Sequence, residues 1–360
     1  MSSDSEFFLS EKIFLRLKKA RKKDGFSGEN WDEWFESLLN NNFEKENKMD
    51  LIVQKFFYEN DFEQWIKSFA INLKSIWEES SAKEISKSSL TEESIIIIGA
   101  GPSLKKHNHL EILAKSNFKG SIICTDRSLI PALKAGVTPE KFPNFYVLTI
   151  DAYPAIEKYY DDDIVNLYGN SIKGIFSVLT YPSVVNRARK AGVNIHWVHT
   201  LFDYNEGKKS FNQISALMIR ACNESHKLPA IQTGGNVGTS AWFVGWKILK
   251  CKNVCLIGIN HGWEEEDSIE KIISHGNAGK EVELDKKSEK FKNLFPKKFN
   301  PEFQTHYIMD PIFQYYSSTF KEFISRTDDL NTINATEGGS IFGDKITCMK
   351  FSEFLAKFEN

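Results

Sequence analysis

From residue 94 onward, short runs of apolar residues alternate with stretches of helical periodicity, and this alternation constrains the fold more than any other feature. The predicted strands carry apolar residues at consecutive positions, as strands do when helices cover both faces of a parallel sheet. We therefore predict an α/β fold with a doubly wound, mostly parallel, Rossmann-like sheet. The predicted strands are Ile95–Ile98, Ser121–Thr125, Phe145–Ile150, Gly174–Leu179, Val193–Val198 and Val254–Ile257.

The residues that precede this region have a different pattern and predict a separate unit. Residues 1–90 are predicted to form a helical N-terminal extension and linker. The linker is indicated by the polar, serine-rich stretch at 78–92, which runs up to the start of the next domain. Aromatic residues are dense at 51–77, which favours a helical layer packed on the next domain over a surface for a partner or acceptor. Residues 91–360 then form the Rossmann-like nucleotide-binding domain, with a polar insertion near 264–303 that is either a lid or solvated surface.

Charge, cysteine content and hydropathy restrict the class of protein. A net charge of -2 over 360 residues provides no overall field for binding nucleic acid, so acidic ligands must be held by local groups. The five cysteines are odd in number and lie mostly in apolar runs, which predicts reduced thiols. The N-terminus lacks an apolar signal core, and no apolar run is long enough to span a bilayer. We expect a cytoplasmic protein without a transmembrane segment; peripheral contact with a membrane is left open.

A glycine-rich turn directly follows the first predicted strand of the sheet. Glycine removes the Cβ that blocks close approach to the backbone, and the N–H groups of such a turn form a concavity for anions. The turn lacks the third glycine of the dinucleotide pattern and the Gly-Lys-Ser/Thr of a Walker loop. We predict that it binds a nucleotide phosphate; a tight strand-to-helix turn without a ligand is the alternative. The predicted contacts are Gly99, Ala100, Gly101, Pro102 and Ser103.

Two aspartates follow the next two predicted strands. Asp126 comes directly after Thr125, and Asp151 directly after Ile150. The carboxyl ends of parallel strands meet at one edge of the sheet, where ligands bind in open α/β folds. Each carboxylate alone is explained by helix capping, but the pair predicts contact with a ribose hydroxyl or a cation.

A second glycine-rich segment opens a later helix, and a polar segment follows the strand Val254–Ile257. The helix start offers backbone and side-chain donors, although close packing of helix on sheet explains its small residues equally well. The imidazole of His261 lies just past a buried strand and is the first candidate for a general base, with His275 second. The predicted nucleotide contacts in these two segments are Thr233, Gly234, Gly235, Asn236, Gly258 and Asn260.

Taken in order, these motifs resemble those of the MptE-like domain family. This family includes archaeal 6-hydroxymethyl-dihydropterin diphosphokinases and the motility-associated-factor glycosyltransferases. The glycine-proline-serine turn is also similar to the nucleotide turn of bacterial CMP-sialic-acid transferases. The matching segments are Gly-Ala-Gly-Pro-Ser-Leu at 99–104, Thr-Asp at 125–126, Ala-Gly-Val-Thr-Pro at 135–139, Asp151, Gly-Gly-Asn-Val at 234–237, Leu-Ile-Gly at 256–258 and Asn-Ala-Thr-Glu-Gly-Gly at 334–339.

The resemblance implies a transferase and leaves two reactions open. A diphosphokinase needs Mg²⁺ to spread the charge of ATP. Under this interpretation, Asp126 and Asp151 are the predicted ligands of the Mg²⁺ ion. The third strand is followed by one Asp only, and Asn260 stands where relatives often carry Asp. We therefore favour a glycosyltransferase that uses a CMP-type sugar for surface glycan synthesis, with Asp151, His261 or His275 as catalytic groups and an unidentified acceptor. A nucleotide-binding module without turnover is the second alternative.

Overall fold

The centre of the fold is a parallel sheet, and one of its inner strands, β2 (Ser94–Ile98), consists mainly of isoleucine. The computed structural model describes residues 61–85, 93–202, 210–221, 227–274 and 287–358, all within the compact unit Val53–Asn360. Every residue of β2 is buried. Ile96 and Ile98 belong to the core on one face of the sheet, and Ile95 and Ile97 to the core on the other. Because β-branched side chains suit a pleated surface, this run forms a strand covered on both sides.

The sheet is built from parallel pairs, with the strands in the order β1-β6-β5-β4-β3-β2-β8-β11-β12. Strand β7 also pairs in parallel with β6, beyond the residues that β1 contacts. The remaining strands are β1 (Ser80–Ser81), β3 (Ser121–Thr125), β4 (Phe145–Thr149), β5 (Lys173–Ser177), β6 (Asn194–Leu201), β7 (Ala230–Gln232), β8 (Asn253–Ile257), β11 (Asn331–Asn334) and β12 (Ile346–Cys348).

Helices cover both faces of the sheet. One core contains residues of α1, α4, α5, α7 and α13, and the other contains residues of α2, α9 and α12. Helix α9 continues into a π-helical turn, Val244–Ile248. The helices are α1 (61–78), α2 (Ala82–Ile85), α3 (Ser103–Lys106), α4 (His109–Lys115), α5 (Asp126–Lys134), α6 (Asp163–Tyr168), α7 (Pro182–Lys190), α8 (Phe211–Arg220), α9 (Val237–Phe243), α10 (Ile269–Ser274), α11 (Glu289–Leu294), α12 (Pro311–Ser325) and α13 (Phe351–Phe358).

The strand order reverses at β2, which makes this strand the topological switch point. The chain proceeds from β2 to β3 on one side, whereas β8 pairs with its other side. Open α/β sheets bind ligands beyond the carboxyl ends of the strands at such a point. The segments that follow β2, β3, β4 and β8 therefore share the carboxyl edge, as the sequence predicts.

The predicted polar insertion contains secondary structure of its own. Helices α10 and α11 lie within 264–303, and strand β9 (Lys297–Asn300) pairs antiparallel with β10 (Thr305–Ile308). Trp263 forms an isolated antiparallel bridge with Ile308. The Asn300 side-chain amide also donates to the Gly339 carbonyl at 2.8 Å. The hairpin is thus fixed to the segments that follow β8 and β11, at the carboxyl edge.

The N-terminal helix α1 packs on the sheet domain through its aromatic and aliphatic side chains. Phe69 and Ile76 are fully buried in the same core as the helices α4 and α5. This agrees with the helical layer predicted at 51–77. Residues 51–60 of that layer lie outside the described residues. The predicted linker at 78–92 is wrong for 80–85, because β1 pairs with β6 and Ile85 of α2 is buried in the opposite core.

The predicted strands of the sheet are found within a few residues of their predicted ends. Cys124, Cys251 and Cys255 are buried and form no disulfide bond. Within the described ranges, no helix combines the length and the apolar character needed to cross a membrane.

We expect Asn72→Ala to lower the free energy of unfolding by about 1–3 kcal/mol, because it leaves buried carbonyls without a donor. The Asn72 side-chain amide of α1 donates to the Thr180 carbonyl at 2.7 Å and to the Val178 carbonyl at 3.4 Å. Urea denaturation of Ile71→Ala provides the matched control, since Ile71 is 66% exposed. Equal effects of the two variants would contradict the role of Asn72 in fixing α1 to the sheet.

Candidate functional site at the carboxyl edge of the sheet

The turn after β2 is hydrogen-bonded to the segment after β8. The Gly99 N–H donates to the Ile257 carbonyl at 2.9 Å, and the Gly101 N–H donates to the Gly258 carbonyl at 2.7 Å. A Cβ on Gly101 would overlap the Asn260 side-chain oxygen and come within 2.6 Å of the Gly258 carbonyl. The glycines therefore serve first to let two loops meet, and these two amides are engaged within the protein. The phosphate contact predicted for 99–103 stays a prediction.

Asn260 connects this turn to the polar insertion. Its Oδ1 accepts a hydrogen bond from the Ser103 hydroxyl at 2.9 Å, and its Nδ2 donates to Glu264 Oε1 at 3.3 Å. Glu264 Oε2 in turn accepts from Lys106 Nζ at 2.7 Å. An amide offers an acceptor to the hydroxyl and a donor to the carboxylate at once, whereas an ionised carboxylate can only accept. This explains why Asn, rather than Asp, suits position 260.

Asp126 lies at the start of α5, next to the turn after β2. The Ser128 hydroxyl of this helix donates to the Ile98 carbonyl at 2.7 Å, directly before Gly99. Asp126 is 5% exposed, and its Oδ1 accepts from the Arg127 N–H at 2.6 Å. Its Oδ2 is buried without a hydrogen bond of normal geometry to any described residue, although the nearby Thr149 side chain lowers the pKa of this carboxyl. Such a group is costly unless a ligand or cation satisfies it.

Burial and neighbouring carboxylates raise the pKa values of both aspartates at this edge. Burial, followed by the negative charge of Asp61, raises the pKa of Asp151 to about 6. Burial and then the Asp151 carboxylate raise the pKa of Asp126 to about 7. Because Asp151 ionises first, its charge opposes the later ionisation of Asp126. The site therefore holds at least one negative charge at neutral pH and favours a positive or hydrogen-bond-donating group.

Three further residues lie close to this pair, Asp61, Tyr153 and Tyr316, and none of them belongs to a predicted site. Asp61 belongs to α1, and its Oδ2 accepts a hydrogen bond from the Tyr153 hydroxyl at 2.6 Å. Burial raises the pKa of Tyr316, on α12, and the Asp151 charge adds to this effect. Asp61 and Tyr316 lie far from the aspartate motifs in the chain, so no local pattern marks them. Tyr153 follows Asp151 by two residues, so its nearness to the aspartates could have been predicted from the sequence.

The glycine-rich segment before α9 lies near the same edge. The Asn236 side chain caps α9 by accepting from the Thr239 N–H at 2.9 Å. A Cβ on Gly235 would come within 2.6–2.9 Å of the rings of Tyr315 and Tyr316. The side chain of Ile259 lies against both Gly99 and Gly238, so the start of α9 packs beside the turn after β2. A common phosphate site for the two glycine segments, including ligand contacts of 233–236, stays a prediction.

His261 is buried against aromatic side chains of α12. It is 6% exposed and has a φ of 40°. The ring stacks on Phe313 at 6.2 Å between centroids and lies about 6 Å from the rings of Tyr316 and Phe320. This setting resembles that of a packed core residue, and the role of His261 as a general base stays a prediction. His275 lies outside the described residues.

The described residues include no cluster of three or more His, Cys, Asp or Glu side chains placed to hold a metal ion. Asp126 and Asp151 stay the predicted ligands, and two carboxylates fit Mg²⁺ when substrate phosphates and water complete the coordination.

The fold and the site define a doubly wound α/β protein with acidic and polar side chains gathered at the switch-point edge. A family model described as "6-hydroxymethylpterin diphosphokinase MptE-like" matches residues 67–266. The chain belongs to this MptE-like family, as the sequence motifs predict, and this membership supports a transferase role.

Two further comparisons add to this result. A search of curated protein sequences gives no match. Among solved structures, the chain is similar to the Maf glycosyltransferase from Magnetospirillum magneticum AMB-1, with 15% identity and a TM-score of 0.48. The similarity covers 72% of this chain and 33% of that one, so this chain spans about a third of the solved protein.

We expect the stability of the protein relative to Asp126→Asn to fall as the pH rises from about 4 to about 7. A carboxyl group whose pKa is raised from 3.8 to about 7 by folding stabilises the folded state below pH 3.8, and this contribution is lost by about pH 7. The change amounts to a few kcal/mol, at about 1.4 kcal/mol per pKa unit. Urea denaturation at several pH values measures it. A difference that stays constant over this pH range would contradict the assignment.

We expect Asn260→Asp to destabilise the protein by about 1–3 kcal/mol at pH 7, because it places a carboxylate beside Glu264. The effect should shrink at pH 4.5, where carboxylates take up protons. The same substitution in a Glu264→Gln background is the matched control, and a double-mutant cycle isolates the repulsion. Additive effects in that cycle would show that residues 260 and 264 do not interact.

Proposed function

We propose that the protein is a nucleotide-dependent transferase whose donor lies over the carboxyl ends of β2, β3, β4 and β8. The observation that carries this proposal is the buried Oδ2 of Asp126, which has no hydrogen bond of normal geometry to any described residue and lies beside Asp151. A ribose hydroxyl or a bound cation would satisfy this oxygen. The donor phosphate would then lie toward the neighbouring turn at 99–103 and the start of α9.

The donor that we favour is a nucleotide-activated sugar of the CMP type, used for surface glycan synthesis. Such a donor carries a single phosphate between nucleoside and sugar, so it brings little additional negative charge to an edge that already holds two aspartates. Lys106, which follows the turn, is already paired with Glu264 at 2.7 Å. In the absence of a metal ion, the site thus suits a donor with one phosphate better than it suits a triphosphate.

In this reaction, Asp151 is the base that we favour. Its raised pKa of about 6 still leaves it ionised at neutral pH, and it is a stronger base than an ordinary carboxylate. Asp151 takes the proton of the acceptor hydroxyl as that oxygen bonds to the anomeric carbon. The bond from this carbon to the phosphate oxygen breaks, and the nucleoside monophosphate leaves with the electron pair. Backbone N–H groups facing the phosphate stabilise the leaving group.

A second candidate is Mg²⁺-dependent diphosphoryl transfer from ATP to a hydroxymethylpterin, as the description of the family suggests. Asp126 and Asp151 favour it, because two carboxylates together attract a divalent cation. In diphosphoryl transfer the two aspartates would hold Mg²⁺, and the ion would spread the charge of the phosphates.

A thermal-shift panel of CMP, UDP-sugars, GDP-sugars and ATP, with and without Mg²⁺, separates the candidates. A ligand that binds the native state alone raises the melting temperature by mass action. We expect CMP to stabilise the protein without Mg²⁺, and Asp126→Asn, but not the control Asp163→Asn, to reduce this shift. A response to ATP with Mg²⁺ alone would favour the diphosphokinase, and stabilisation by CMP without transfer or hydrolysis of a CMP-sugar would favour a binding module. No response to any nucleotide would contradict the proposal.

A further inference from the structure

An exposed tyrosine is held in a fixed position beside the two aspartates. Tyr153 is 44% exposed and follows Asp151 by two residues. Its hydroxyl donates to Asp61 of α1 at 2.6 Å. Its backbone is extended, with φ of -109° and ψ of 130°, and Pro154 after it disfavours the helical alternative. The ring is thus restrained at both ends although a large part of its surface faces solvent.

The surroundings of Tyr153 show which side of the molecule it occupies. Burial raises the pKa of its hydroxyl, and the charges of Asp61 and Asp151 add to this effect. Tyr316 is close enough that the Asp151 and Tyr153 groups both affect its pKa. The ring therefore belongs to the carboxyl edge and is not an isolated surface residue.

The order of groups along this edge follows the order of groups in a nucleotide. The glycine turn follows β2, Asp126 follows β3, and Asp151 and Tyr153 follow β4, and these three strands are neighbours. Adjacent strands lie about 4.8 Å apart, so β2 and β4 are separated by about 10 Å. This span accommodates a phosphate at the turn, a ribose at the aspartates and a flat base beyond them.

We propose that the ring of Tyr153 is the surface on which the base of the donor nucleotide stacks, and that Asp61 positions this ring. The proposal rests on the proposed function, because it assumes a nucleotide at this edge. Aromatic rings stack on any base through their π faces, and a ring that is already restrained loses little freedom when the ligand binds. The N-terminal helix α1 thereby takes part in ligand binding through a single hydrogen bond.

The test compares ligands that share a phosphorylated ribose and differ in the base. Binding of CMP, UMP, AMP, GMP and ribose 5-phosphate to the full chain is measured by titration calorimetry. We expect Tyr153→Leu to lower the affinity for the tightest-binding nucleotide by about tenfold or more, which is the usual effect of losing one stacked base. Its affinity for ribose 5-phosphate should not change. Tyr153→Phe should retain most of the nucleotide affinity, because it keeps the ring, and Asp61→Ala should give an intermediate loss.

Tyr168→Leu is the matched control. Tyr168 ends helix α6, which leads toward the amino end of β5, at the opposite edge of the sheet from Tyr153. This variant should bind every ligand as the unchanged protein does, and melting temperatures check that all variants are folded.

The outcomes separate this inference from the proposed function. If the unchanged protein binds a nucleotide and Tyr153→Leu binds it equally well, the stacking role is wrong and the proposed function stands. The stacking role is also wrong if Tyr153→Leu weakens ribose 5-phosphate equally, or if Tyr153→Phe loses as much affinity as Tyr153→Leu. If the unchanged protein binds none of the four nucleotides, the proposed function fails and the stacking role fails with it.

Discussion

Two backbone hydrogen bonds across the switch point determine the form of the carboxyl edge. They run from the amides of Gly99 and Gly101 to the carbonyls of Ile257 and Gly258, and they are short only because residues 99 and 101 lack a Cβ. Strand order alone places a crevice between β2 and β8. The hydrogen bonds join the loops that follow β2 and β8 and hold Asn260 beside Ser103, whereas the two aspartates follow the neighbouring strands β3 and β4.

The buried aspartates and the glycine turn occupy different parts of this edge. The first part contains Asp126 and Asp151, whose pKa values are raised chiefly because burial disfavours their charged forms. At the turn, Ser103 bonds to Asn260, and the charge of the nearby Glu264 is offset by its ion pair with Lys106. A ligand with a polar nucleoside at one end and an anion at the other matches this division, because each end then meets groups of suitable charge.

The fold was largely predictable from the sequence, and the site only in part. Apolar runs such as Ile95–Ile98 are long enough and regular enough to define the strands, and parallel pairing then brings Asp126 and Asp151 to one edge. The sequence could not show that the amides of Gly99 and Gly101 bond to another loop, because that depends on tertiary contact. It likewise could not place Asp61, which reaches the site from a helix outside the alternating pattern, or the burial of His261 under α12.

The anchoring of Tyr153 by Asp61 has a consequence for comparisons within the family. The matched segment begins at residue 67, after Asp61, so the sheet edge is a shared feature whereas this hydrogen bond comes from outside it. A protein with the matched segment, an aromatic ring at the position of Tyr153 and no carboxylate at the position of Asp61 would lack this hydrogen bond, and its ring would be free to rotate. A difference in ligand preference between such proteins would come from a segment outside the matched domain.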